Sequence, residues 1–119
     1  MKVLLVEDNL DDAALTIHVL KRTSPGLRIE LVRDGAAALD FLFSAGAYAR
    51  RPFGTAPDLI ILDMRLPKAS GLDVLRVLKF YAHTRHVSVI LFTATADEAV
   101  MLESQRLGVS DYILKPTDF

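Results

Sequence analysis

Two continuous apolar runs dominate the pattern of the chain, and acidic residues follow each of them. The first run, 3–6, is followed by Glu7 and Asp8, and the second, 59–62, is followed by Asp63. Strands buried on both faces of a parallel sheet show such unbroken runs, whereas half-buried strands alternate. We therefore predict two central strands of a parallel sheet that deliver three carboxylates at their carboxyl ends.

The segments between these runs have the apolar spacing and the termini of helices. Asn9 stands at the N-cap position of the first helix, and Asp12 matches the positive end of that helix's dipole. Thr95 and Glu98 have capping-box spacing, which predicts a fourth helix capped by Thr95. Gly108 supplies the left-handed stop of that helix. Further strands are predicted over 28–33, 87–92 and 111–114.

Strands that alternate with helices indicate an α/β fold with a doubly wound, five-stranded parallel sheet, because each parallel crossover needs a helix. The alternation alone leaves the strand order open. In the flavodoxin-like order 2-1-3-4-5, Asp8 would face Asp63 with Glu7 beside them. Thr93 and Lys115 would arrive from strands 4 and 5. A carboxylate cluster of this kind needs cations, and we expect Lys115 to be one and Mg²⁺ to be the other.

Composition narrows the classes of function. The chain has 119 residues, 51% of them hydrophobic, which fits one domain spanning 1–119. Its net charge of −1 indicates neither a nucleic-acid footprint nor a membrane-binding surface. Without cysteine there are no disulfides or thiolate metal sites, and no apolar run approaches the ~20 residues that span a bilayer. We therefore expect a soluble, cytoplasmic protein that binds neither nucleic acid nor membrane.

The chemistry-bearing positions together resemble the receiver domain of two-component response regulators, over the whole chain. The shared positions, in order and at the family's spacing, are Glu7-Asp8, Asp63, Pro67, Gly71, Thr93-Ala94, Tyr112 and Lys115-Pro116. The connection 46–57, together with 34–35, 38–42 and the ending 115–119, is further similar to the single-domain regulators that are paired with phytochrome-type sensor histidine kinases.

The resemblance implies a phosphoacceptor and a metal site. Asp63 would accept a phosphoryl group from a histidine of the kinase. Glu7, Asp8, Asp63 and the backbone carbonyl of Arg65 would hold Mg²⁺, with Glu7 acting directly or through a water molecule. Phosphoryl transfer depends mostly on alignment and charge neutralisation, which such a site supplies.

The resemblance also implies a switch. Lys115 and Thr93 would bind the phosphoryl oxygens, with the amide of Ala94 as a further donor. Tyr112 would turn inward when Thr93 moves, and so change the surface of the fourth helix and fifth strand. The finer resemblance suggests that this surface forms a homodimer. The Lys115–Pro116 bond is cis in the family.

This sequence departs from the family pattern in three places. Arg65 and Thr95 stand at the two positions whose side chains tune dephosphorylation, so we expect an individual phosphate lifetime. We also hypothesise that Arg65 pairs with Glu7 or Asp8 in the absence of Mg²⁺. The family's fifth helix is missing from the sequence, and we expect a segment after Phe119 to supply it, because its absence would expose apolar sheet.

Two alternative functions stay open beside the receiver. One is a protein-binding module with the receiver fold that works without phosphorylation. The other is a haloacid-dehalogenase-type phosphatase, which also uses a strand-end Asp, Mg²⁺ and a lysine. That enzyme needs a second acid two residues after its nucleophile, where this chain has Arg65. We therefore interpret the protein as a signalling domain that catalyses only its own phosphorylation and dephosphorylation.

Overall fold

Over residues 1–52, 55–94, 96–116 and 119, the computed structural model contains five strands and four α-helices. The strands are β1 (Lys2–Val6), β2 (Arg28–Val32), β3 (Leu59–Leu62), β4 (Ser88–Thr93) and β5 (Asp111–Leu114). The helices are α1 (Leu10–Thr23), α2 (Gly35–Leu42), α3 (Gly71–Phe80) and α4 (Glu98–Arg106), with a 3-10 helix at Gly46–Tyr48. None of the described helices combines the length and apolar composition that crossing a bilayer requires.

All strand pairs are parallel and lie in the order β2-β1-β3-β4-β5. The predicted doubly wound α/β fold with flavodoxin-like strand order is therefore confirmed. The two apolar runs form β1 and β3, which are neighbours within the sheet. β2 lies at the edge, and its first four residues are alternately exposed and partly covered, as its alternating sequence predicts, while Val32 at its end is buried.

The helices cover both faces of the sheet, which explains why the central runs are apolar without interruption. Successive residues of a strand point to opposite faces. Leu4 and Ile60 therefore pack into the larger core cluster, with residues of α2 and α3. Leu5 and Ile61 pack into a smaller cluster against α1. Both central strands are thus buried from above and below.

The helix ends follow local chemistry, with one correction. The side chain of Asn9 accepts a hydrogen bond from the N–H of Asp12 at 3.0 Å, and Gly108 has φ +86°. Both termini were predicted. The cap of α4 is Asp97, whose carboxylate accepts from Val100, so the predicted capping box was wrong. An Asp one residue before Glu98 caps a helix better than Thr does. Thr95 itself lies outside the described residues.

An apolar groove lies open between α1 and the sheet. It has a volume of about 240 Å³, and Val19 and Ile113 within it are 51% and 40% exposed. Its lining consists of Thr16, Val19, Leu20, Ile61, Ile90, Phe92, Ile113 and Phe119.

Gly71 brings the start of α3 against the backbone of Asp63. A Cβ at this position would lie 2.3 Å from the carbonyl oxygen of Asp63 and 2.7 Å from the Cα of Met64. We predict that Gly71→Ala lowers the free energy of unfolding by about 2 kcal/mol or more, because backbone must move to admit the methyl group. Chemical denaturation measures this change.

Gly26→Ala is the matched control, because a Cβ at Gly26 would meet no atom within 4 Å. Its expected effect on unfolding is within about 0.5 kcal/mol. Equal stability of the two alanine variants would contradict the close approach of Gly71 to Asp63.

Candidate functional site

The register of the two central strands places Glu7 beside Asp63. Val6 pairs with Leu62, and the N–H of Asp63 donates to the carbonyl of Val6 at 3.1 Å. The residues Glu7 and Asp63 come next and are buried, at 2% and 7% exposure. Asp8 follows Glu7 and is exposed. The register neighbour of Asp63 is therefore Glu7, although the sequence pattern had suggested Asp8.

The three predicted carboxylates lie together at this edge of the sheet. Glu7, Asp8 and Asp63 each offer an oxygen, and these oxygens lie within 4.8 Å of one another. Carboxylate oxygens are ligands that hard divalent cations prefer in proteins. The N–H of Arg65 donates to Asp63 Oδ1 at 3.1 Å, which folds the loop after β3 around the carboxylate. The residues present thus fit a divalent cation.

Lys115 binds three carboxylates at once. Its Nζ lies 2.5 Å from Glu7 Oε1, 2.8 Å from Asp12 Oδ2 and 3.0 Å from Asp63 Oδ2. Only 5% of the Lys115 side chain is exposed. An ammonium group has three N–H donors, so these contacts satisfy all of them. The lysine that the sequence places at the end of β5 therefore lies in the middle of the acid cluster.

The surroundings shift the pKa values of this cluster. Burial lowers the pKa of Lys115, but its hydrogen bonds to Asp12, Glu7 and Asp63 outweigh burial and raise the pKa well above its usual range. Burial raises the pKa of Glu7; the hydrogen bond with Lys115 opposes this rise, and the charge of Asp63 adds to it. Lys115 is therefore a permanent cation, and one positive charge faces several carboxylates.

Asp12 is the member of the cluster that the sequence pattern did not indicate. Its place in the first turn of α1 was interpreted as a dipole-matching role, and its N–H does bond to the Asn9 cap. Its carboxylate, however, also accepts a hydrogen bond from Lys115. Helical side chains tilt toward the N-terminus of the helix, which for α1 is the end at the site. The sequence signal that could have indicated Asp12 was its position one helical turn after Asp8.

Thr93 and Lys115 are connected through the backbone. Thr93 ends β4 with 1% exposure, and its carbonyl accepts the N–H of Lys115 at 2.8 Å. Ala94 follows and is exposed. The ends of β4 and β5 are thereby held together beside the acids. Thr95, a predicted tuning residue, lies outside the described residues.

Tyr112 connects β5 to the start of α4. The side chain is partly buried and packs against the larger core cluster. Burial raises the pKa of the Tyr112 phenol; a hydrogen bond with the backbone of Asp97 lowers it, and the charges of Asp97 and Asp63 raise it further. The phenol is thus linked to Asp97 just before α4 and is close enough to Asp63 to feel its charge.

The Arg65 side chain is exposed, and no ion pair among the described residues joins it to Glu7 or Asp8. Its pairing with these acids in the absence of Mg²⁺ stays a prediction. One expectation at the site is wrong. No peptide bond in the described part of the chain is cis, so the Lys115–Pro116 bond is trans. The pairing of β5 with β4 directs the ammonium to Asp63 without a cis bond.

An open cleft of about 600 Å³ leads to the acids between the loop after β3 and α4. Its lining consists of Asp8, Met64, Arg65, Leu66, Pro67, Ser70, Leu72 and Val100. Asp8 is the only member of the acid cluster among these lining residues. The cleft therefore borders the acid cluster at Asp8.

Comparison with known proteins gives consistent matches over nearly the whole chain. The family model of the response regulator receiver domain matches residues 3–119. Response regulator Rcp1 of Synechocystis sp. is 35% identical over 113 residues, which cover 95% of this chain and 75% of that protein. The crystal structure of the Mn²⁺-bound form of Rcp1 matches with a TM-score of 0.89 at 34% identity, covering 98% of this chain and 81% of that one.

A phosphorylated relative also matches. The crystal structure of the phosphorylated cyanobacterial phytochrome response regulator RcpA has a TM-score of 0.90 at 33% identity, covering 98% of this chain and 81% of that one. The resemblance to receivers, and within them to phytochrome response regulators, is therefore confirmed. By its sequence, its strand order and its strand-end acids, the chain belongs to the response regulator receiver family.

Proposed function

We propose that Asp63 of this receiver accepts a phosphoryl group from the histidine of a sensor kinase. Membership of the family supports a phosphoacceptor signalling role for the chain. The surroundings of Asp63 support its assignment as the phosphoacceptor. Asp63 is buried, Lys115 Nζ lies 3.0 Å from its Oδ2, and its carboxylate lies within 4.8 Å of two other acids.

The donor set suits Mg²⁺. Glu7, Asp8 and Asp63 would hold the ion with their carboxylates, and the backbone carbonyl of Arg65 would complete the protein's share. When bound, Mg²⁺ supplies positive charge that neutralises the acids and the transferring phosphoryl group. The Mn²⁺ in the Rcp1 structure supports a divalent site in this family.

The protein's own groups align the transfer. A carboxylate oxygen of Asp63 forms the new bond to phosphorus, while the bond from phosphorus to the kinase histidine nitrogen breaks and the nitrogen keeps the electron pair. The N–H of Arg65 keeps Asp63 oriented through Oδ1. Lys115 already lies at Asp63 and can give an N–H to a phosphoryl oxygen by releasing one carboxylate. The hydroxyl of Thr93 and the amide of Ala94 are the further donors in this proposal.

The readout in this proposal is a surface formed by α4 and β5. Thr93 would move to the phosphoryl group, and Tyr112, whose pKa responds to the charges of both Asp97 and Asp63, would follow it inward. Leu102 and Leu114 are 61% and 48% exposed. Exposed apolar side chains of this size favour a protein contact, and we propose a homodimer through this surface.

The proposed kinase is of the phytochrome type, because RcpA is a phytochrome response regulator and matches nearly the whole chain. We further propose that the protein acts in the cytoplasm and contacts neither nucleic acid nor membrane. Its chemistry is limited to its own phosphorylation and dephosphorylation, tuned by Arg65 and Thr95. We treat residues 1–119 as a single receiver domain.

Phosphorylation on Asp63 is tested by incubation with acetyl phosphate and measurement of intact mass. We predict a gain of one phosphoryl group that needs Mg²⁺, because the acid cluster repels an anionic donor without it. Asp63→Asn abolishes the adduct, whereas Asp58→Asn, an acid at the opposite end of the sheet, does not. An adduct of equal yield on Asp63→Asn would contradict the assignment.

Removal of Lys115 should make stability depend on Mg²⁺. In the presence of a chelator, Lys115→Ala leaves Glu7 and Asp63 buried without their counter-charge, and we predict a loss of about 3 kcal/mol or more in the free energy of unfolding. Saturating Mg²⁺ should restore most of this loss, as measured by denaturant titration with and without the ion.

Lys21→Ala is the control for the loss of a positive charge, because Lys21 is exposed at the end of α1. Its expected effect is within about 0.5 kcal/mol and independent of Mg²⁺. A Lys115→Ala protein as stable as Lys21→Ala in the chelator would show that the carboxylates do not depend on the lysine.

A further inference from the structure

The three carboxylates that bind Lys115 differ in one respect. Glu7 and Asp63 also belong to the group of acids that fits a divalent cation. Asp12 binds Lys115 at 2.8 Å and lies outside that group. The same two carboxylates are therefore required by both the lysine and the cation, whereas Asp12 is required by the lysine alone.

We propose that Asp12 is a positioning residue for Lys115, which keeps the ammonium in the site while Glu7 and Asp63 serve the divalent cation. The inference rests on the proposed function and adds a residue to it. Asp12 touches neither the phosphoryl group nor the cation in this account. It acts through the lysine.

Asp12 is itself held in place. Its N–H donates to the side chain of Asn9 at 3.0 Å, and its carbonyl accepts the hydroxyl of Thr16 at 2.7 Å. Thr16 is buried, and α1 is packed on the sheet beside it. The Asp12 carboxylate is thus presented from a fixed turn of helix and not from a mobile loop.

The consequence for cation binding follows from the donors of the ammonium. When a carboxylate turns to a cation, Lys115 loses its hydrogen bond to that carboxylate. A buried ammonium group without partners is costly. With Asp12 present, Lys115 keeps a charged partner when it gives up Glu7 and Asp63. Without Asp12, Lys115 would hold those two carboxylates more tightly and compete with the cation.

The test is a calorimetric titration of the wild-type protein and three variants with MgCl₂. Asp12→Asn removes the charge, and we expect it to weaken Mg²⁺ binding about three- to ten-fold. Asp11→Asn makes the same charge change one residue earlier at an exposed side chain, and its effect should stay within about twofold. Asp12→Glu keeps the charge and should bind Mg²⁺ more tightly than Asp12→Asn.

A second experiment distinguishes an effect of Asp12 through Lys115 from a direct effect of its negative charge on the cation. In a Lys115→Ala background, shown to be folded by circular dichroism, Asp12→Asn should weaken Mg²⁺ binding no more than Asp11→Asn does, because the competitor has gone. An Asp12 effect that persists undiminished in this background would overturn the inference, as would equal affinities of Asp12→Asn and Asp11→Asn in the native background. If the double variant does not fold, the native-background comparison alone decides.

Failure of the proposed function would look different. A wild-type protein that binds no Mg²⁺ would overturn the proposed function together with this inference. A wild-type protein that binds Mg²⁺, with Asp12→Asn equal to Asp11→Asn, would overturn the role of Asp12 and leave the phosphoacceptor proposal standing.

Discussion

The burial of one ammonium group among several carboxylates is the constraint on which the site depends. Lys115 neutralises one negative charge, while Glu7, Asp12 and Asp63 all bind it and Asp8 lies next to them. The excess of negative charge would favour a divalent cation, and the positive charge of Lys115 offsets the repulsion among the acids. In the proposed function, the same carboxylates therefore exchange between the lysine and a cation. A phosphoacceptor that must bind and release both a cation and an anion needs this exchange.

The role of the fold is to set the strand register that brings the side chains of the site together. Two parallel pairings, β1 with β3 and β4 with β5, bring Glu7 beside Asp63 and Lys115 beside Thr93. The close approach of Gly71 to the Asp63 carbonyl sets the position of the loop that carries Arg65. A shift of one residue in either pairing would turn these side chains to the other face of the sheet. The same packing that buries the core thus aligns the chemistry.

Local sequence signals predicted the elements well where a single segment determines them. The apolar runs of β1 and β3, the Asn9 cap and the Gly108 stop depend on neighbouring residues, and the structure contains them all. The strand order needed the family resemblance, because alternation alone allows several orders. The contact of Asp12 with Lys115 joins residues 103 positions apart, and nothing in the α1 segment by itself specifies it. The Lys115–Pro116 bond is trans, so the family's cis bond did not carry over to this chain.

Chemical mapping of the phosphorylated residue tests the central claim most directly. Borohydride reduction of an acyl phosphate converts the modified aspartate to homoserine, and peptide mass spectrometry then identifies the position. We predict homoserine at position 63 alone, in protein phosphorylated in the presence of Mg²⁺. Homoserine at position 8 or 12, or phosphate on a residue that borohydride does not reduce, would contradict it.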